Sequence, residues 1–181
     1  MTKNFKLKNI AVSIGIFVGL CLTPLLSQAQ EYQPWTGTVS GTTFDFGNGG
    51  NLSNIRRLLN EGKTEDAVRV SRKTIVNLEA GFRTGQITKS FYDAYNALCL
   101  SLTANGEYEE AMDACNTAIK QHPSRWNALN SRGSLNYKSG KFSAALNDYQ
   151  SALRSAPKTG QISRVIEHNI KISQGMMSSN R

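Results

Sequence analysis

The sequence predicts an all-α solenoid of about three helical hairpins, closed by one further helix and preceded by an extended arm. Three observations carry that reading. First, the chain repeats itself at an offset of 34 residues: GEYEEAMDACNTAIKQHP (106–123) lies over GKFSAALNDYQSALRSAP (140–157). Identities fall at Gly106/Gly140, Ala111/Ala145, Ala118/Ala152 and Pro123/Pro157, and YDAYN (92–96) over WNALN (126–130) keeps the same register. Second, apolar residues recur at three- and four-residue steps on both sides of each glycine, the spacing of an amphipathic helix. Third, each unit is punctuated. Glycine stands where a helix ends and the chain must turn with φ > 0, and proline stands where the second helix cannot continue.

Taken in chain order, residues 1–29 read as a secretory signal peptide. Lys3, Lys6 and Lys8 open it, an apolar run from Ile10 to Leu26 follows, and Ser27-Gln28-Ala29 supplies the small residues of a cleavage site. An uncleaved anchor is the alternative, since the run is near the lower limit for crossing a bilayer; Pro24 and the small-residue exit favour cleavage. Leu20 disfavours lipid attachment at Cys21. Cleavage after Ala29 leaves 152 residues, enough for one domain with its own core. The formal charge then falls from +8 to +5 as three lysines leave. An exported protein of this modest basicity is not expected to have a nucleic-acid partner, and no later apolar stretch is long enough for a membrane span. The bacterial periplasm is the expected compartment, with secretion or envelope association as variants.

Residues 30–50 are rich in Gly and Thr, with Trp35, Val39, Phe44 and Phe46 loosely alternating, and are expected to form an extended or disordered arm or a short hairpin. GNGGN after Asp45 has the glycine-rich character of calcium loops, but a single copy does not make one. Residues 51–90 form a degenerate first repeat. Gly62 and Ala67 keep the spacing and Thr74 takes the second alanine's place. Thr64 is the expected N-cap, with Glu65 and Asp66 in the first turn. The interval from Gly62 to Gly106 exceeds 34 residues by about ten, placed in a longer second helix ending near Gly81 and in the link FRTGQITKS (82–90). The second and third repeats span 91–124 and 125–158. Residues 159–175 read as a capping helix with Ile162, Val165, Ile166 and Ile170 in one stripe, closing the open apolar face of the stack. Residues 176–181 read as a tail.

With Gly106-x4-Ala111-x6-Ala118-x4-Pro123 and Gly140-x4-Ala145-x6-Ala152-x4-Pro157 in place, the chain resembles the tetratricopeptide repeat family. The resemblance implies a right-handed α-solenoid whose first helices line a concave surface, and protein or peptide binding there. Residues expected to face inward are Arg56, Asn60, Asp93, Asn96, Leu100, Asn127, Asn130, Ser134, Tyr137, Lys138, Arg164, His168 and Lys171. Asparagine amides can hold a peptide backbone from both sides, and Lys138, Arg164 and Lys171 can take a carboxylate. Some members of the family clamp a C-terminal carboxylate; Asn96, Asn130 and Lys138 match that set only in part.

No enzyme signature is present: no phosphate loop, no G-x-S-x-G, no H-E-x-x-H. No cofactor or metal is expected, because His122, His168, Cys99 and Cys115 sit on different elements. Cys99 and Cys115 lie seven residues before and nine after Gly106, and in an antiparallel hairpin such positions come opposite each other. They fill the slots of Gly133 and Tyr149 one repeat later. An oxidising compartment makes a Cys99–Cys115 disulfide the expectation, with buried free thiols as the alternative. The expected function is therefore a non-catalytic exported adaptor. The alternatives are a structural subunit docking through its flank or arm and, last, a thiol-redox or metal-handling protein.

Overall fold

A computed structural model of the chain describes residues 50–85 and 91–179. The expected signal peptide, the arm up to residue 49, most of the link at 86–90 and the last two residues lie outside the described residues. Among the described residues seven α-helices follow one another: α1 (Gly50–Asn60), α2 (Thr64–Arg83), α3 (Tyr92–Asn105), α4 (Tyr108–Gln121), α5 (Trp126–Lys138), α6 (Phe142–Ser155) and α7 (Gln161–Ser179). No strand occurs among the described residues. The architecture is the all-α helical-repeat solenoid that the sequence predicts, with hairpins α1–α2, α3–α4 and α5–α6, and α7 packed on α6.

One turn is built three times. Gly62, Gly106 and Gly140 have φ of 71°, 84° and 73°. After each, the next N–H reaches back to the last helical turn: Lys63 to the Leu58 carbonyl at 2.9 Å, Glu107 to Leu102 at 3.0 Å, and Lys141 to Asn136 at 2.8 Å. With the glycine N–H bonding three residues back, this is the Schellman closure, which requires a left-handed residue where a Cβ would be strained.

The hairpins pack through small residues. Ala67, Ala111, Ala118, Ala145 and Ala152 are wholly buried. At Gly133 the approach is tightest: a Cβ built there would lie 2.6 Å from two ring atoms of Tyr149. One repeat earlier, at the equivalent positions, Cys99 and Cys115 are joined by a disulfide with Cα atoms 5.1 Å apart. The two hairpins thus close the same gap differently, one with a ring over a glycine and the other with a covalent bridge. Both cysteines are fully buried.

Buried polar pairs set the register between repeats. Ser71 and Ser101 hydroxyls meet at 3.0 Å between α2 and α3. The Arg132 guanidinium of α5 donates to both Asp148 oxygens of α6, at 3.0 and 2.6 Å, and to the Asn116 Oδ1 of α4. Asn136 donates a further bond to Asp148 at 2.9 Å. The forked, charge-assisted geometry fixes one arrangement of the three helices.

Three local expectations are corrected. Thr64 does not cap α2: Lys63 holds that position, and the Thr64 hydroxyl bonds the Asn105 Oδ1 at 2.6 Å, tying the first hairpin to the second. Helix α2 runs to Arg83, past Gly81, and Thr84 closes it through hydroxyl bonds to the Ala80 and Gly81 carbonyls. Helix α7 runs to Ser179, beyond residue 175. The serines of this stretch bond back along the helix, Ser178 to the Gln174 carbonyl and Ser179 to Gly175.

Candidate functional site

The helix contacts decide which face is inner. The backbones of the first helices touch one another along the stack, α1 on α3, α3 on α5 and α5 on α7, whereas those of the second helices α2, α4 and α6 stand apart, with α2 and α4 linked by the long side chains of the exposed Arg72–Glu110 ion pair. Layers of equal length that touch on one side and part on the other form a curve with the touching layer inside. The concave face therefore belongs to α1, α3, α5 and α7.

The α5 candidates divide by depth. Asn127, Asn130 and Ser134 are buried, and Tyr137 and Lys138 are half-buried. The buried ones are engaged within the fold. Asn130 Oδ1 accepts from Asn169 Nδ2 of α7 at 3.2 Å. Ser134 donates to the Asn130 carbonyl at 3.2 Å and accepts from the Tyr149 hydroxyl at 3.1 Å. The Ser131 hydroxyl bridges Asn96 Oδ1 of α3 at 2.8 Å and the Asn127 carbonyl at 3.0 Å. Asn96 and Asn130 thus form a polar seam that holds the first helices side by side, and they are 9 % exposed. Tyr137 stands edge-on to Phe142 with centroids 5.3 Å apart.

On α7, Arg164 and Lys171 are exposed and His168 is half-buried. Gln161, Arg164, Val165 and His168 line a shallow open depression. Glu167, in the slot that Gly133 occupies on α5, is exposed, so no close-packed helix covers it. Among the described residues, Lys138, Arg164 and Lys171 have no carboxylate within ion-pair distance.

Asp93 at the rim of α3 is already engaged: Arg125 grips both its oxygens, at 3.3 and 3.1 Å. Burial raises its carboxyl pKa, and Arg125 pulls it back down. The same guanidinium lies 4.0 Å from the Tyr92 ring centroid. The Tyr92 hydroxyl accepts from the Ala128 N–H at 2.8 Å and donates to the Arg125 carbonyl at 3.4 Å. Burial pushes this phenol up to about 12. His122 is half-buried with its ring edge-on to Tyr92 at 5.4 Å. This cluster locks the turn before α5 onto α3.

Asn169, Ser131 and Arg125 were not among the expected site residues. Asn169 lies on the apolar stripe of α7 beside Ile166 and Ile170; a polar residue on an apolar stripe signals a buried partner. Among the described residues, no cluster of three metal-ligating side chains occurs and no helix is long and apolar enough to cross a membrane.

Residues 96–160 match the family model of the tetratricopeptide repeat. This segment is tetratricopeptide repeat. The match begins in α3 and runs through α6, so it covers the two hairpins with the clearest spacing. Tetratricopeptide repeats suggest a protein–protein interaction scaffold and are typically non-catalytic. Searches of curated proteins and of solved structures returned no match.

Proposed function

We propose that the protein is an exported, non-catalytic scaffold that binds a protein or peptide along the concave face of its tetratricopeptide repeats. The observation that supports this most is the inner layer itself. The first helices form a continuous surface whose floor is a satisfied polar seam. Lys138, Arg164 and Lys171 at its edge pair with no acid among the described residues. Side chains kept accessible on a rigid scaffold are the ones a partner can use. The basic, apolar and small-residue pattern of residues 1–29 supports export, and an exported product beginning at Gln30 is its test.

Exposed Val76 and Phe82 on α2, 59 % and 57 % accessible, support a second reading. Here the flank docks the protein into a larger complex as a structural subunit. The two readings separate by mutation. Partner capture from envelope extract that survives Val76→Ser with Phe82→Ser, and deletion of residues 30–49, but fails on Lys138→Glu with Arg164→Glu, supports the groove. The opposite pattern moves the site to the flank or arm.

A further inference from the structure

The charges on the inner face constrain the chemistry of its occupant, provided that this face is the binding groove proposed above. At the inward positions of α3, α5 and α7 the formal charges are Asp93, Lys138, Arg164 and Lys171. Asp93 is neutralised by its forked bond to Arg125, and a second acid, Glu167, lies exposed on α7 between Arg164 and Lys171, so the face toward α7 keeps an excess of positive charge. The three cations have no acidic partner among the described residues. The outer layer carries both signs, with Glu109, Glu110 and Asp113 exposed on α4 and Lys73 and Arg83 exposed on α2. The inner face toward α7, with three cations against Glu167, presents net positive charge to whatever enters.

Spacing narrows the chemistry further. Arg164 and Lys171 are seven residues apart on one helix, two turns or about 10 Å along its axis. Lys138 stands on a different helix, at the C-terminal end of α5. Several carboxylates spread along a chain can each meet one of these cations, whereas a single chain-terminal carboxylate would have to draw all three long side chains to one point. The asparagines that would complete such a clamp, Asn96 and Asn130, are already bonded to Ser131 and Asn169. We infer that the groove takes an extended acidic segment of a partner, with several side-chain carboxylates spread along it. Its apolar residues lie against half-buried Leu100 and Ile172.

The test uses fluorescein-labelled, C-terminally amidated octapeptides: one of aspartate and glutamate with two central leucines, and one with every acid replaced by its amide. Binding of each to the protein from Gln30 to Arg181 is read by anisotropy. The acidic peptide is expected to bind, to weaken steeply as salt rises past about 0.1 M, and to lose about tenfold on Lys138→Glu/Arg164→Glu/Lys171→Glu. The matched triple reversal Lys73→Glu/Arg83→Glu/Lys120→Glu on the outer helices α2 and α4 should leave it unchanged, with circular dichroism verifying both folds. Equal binding of the amide peptide, with the groove variant weakening both, overturns the acidic inference and leaves groove binding standing. Binding only when the peptide's C-terminus is free overturns it in favour of a terminal carboxylate. Equal loss from both triple and control reversals removes the groove as the site, and the inference falls with it.

Discussion

Gly133→Ala sets two effects against each other, and the structure decides which wins. Within a helix, alanine is favoured over glycine by up to about 1 kcal/mol. Here its methyl would sit 2.6 Å from two ring carbons of Tyr149 and 3.1 Å from a third. The ring cannot swing aside cheaply: Tyr149 is fully buried and its hydroxyl is held by Ser134 at 3.1 Å. Overpacking of this kind costs about 1–3 kcal/mol, and a clash with a tethered ring belongs at or above the upper end. After the helix gain, the net loss is about 2 kcal/mol, a fall in Tm of roughly 8 °C for a domain of this size. Thermal and urea unfolding followed by circular dichroism would measure it. The reasoning also predicts a change of sign: in a Tyr149→Leu background the ring is gone, and Gly133→Ala becomes neutral or stabilising. A stabilised Gly133→Ala in the natural background, or equal losses in both backgrounds, would refute it.

Further outcomes rest on the same contacts. Reducing the Cys99–Cys115 bond, or replacing both residues with alanine, should lower stability by about 3 kcal/mol for a loop of this size; an unchanged melting temperature with two titratable thiols refutes the bond. Asn169→Ala leaves the buried Asn130 Oδ1 unpaired and should cost about 1–3 kcal/mol, whereas Asn169→Asp, which offers no amide donor, should do no better; urea midpoints decide. The Tyr92 phenol is held above its ordinary value of 10.0, at about 12, so the folded state favours its neutral form. Its contribution is fully present below pH 10 and is lost as pH rises through 12. Unfolding free energy measured from pH 9 to 12 should fall, and Tyr92→Phe should flatten that fall; an unchanged slope would show that the phenol does not control it.

The repeat architecture was legible because a solenoid writes its geometry locally. Gly106 and Gly140 mark turns that only a left-handed residue closes, and the alanines at 111, 118, 145 and 152 mark where helices meet. The pairing of Cys99/Cys115 with Gly133/Tyr149 was readable from the 34-residue register, since both pairs bridge one gap. What spacing hides is which polar side chains on an inner helix are spent on the neighbouring repeat. Asn130 sits where a ligand could reach it by periodicity alone, yet Asn169, 39 residues on, takes its carbonyl oxygen. That contact depends on how α7 rotates against α5, which no single helix encodes. Thr64 departs from the local pattern for a related reason: its hydroxyl has a partner at Asn105, 41 residues away, that competes with the local cap. The length of α7 was hidden because serines read as loop formers until their hydroxyls find carbonyls one turn back.

The central claim, that the inner layer is the binding surface, is tested most directly by site-specific photocrosslinking. A benzophenone side chain placed singly at Lys138 or Lys171, on the inner face, is compared with one at Glu109 or Val76, on the outer helices, with the protein expressed in its own cells. The account predicts a discrete crosslinked partner from the inner positions and none from the outer ones. Crosslinks confined to Glu109 or Val76 would contradict it.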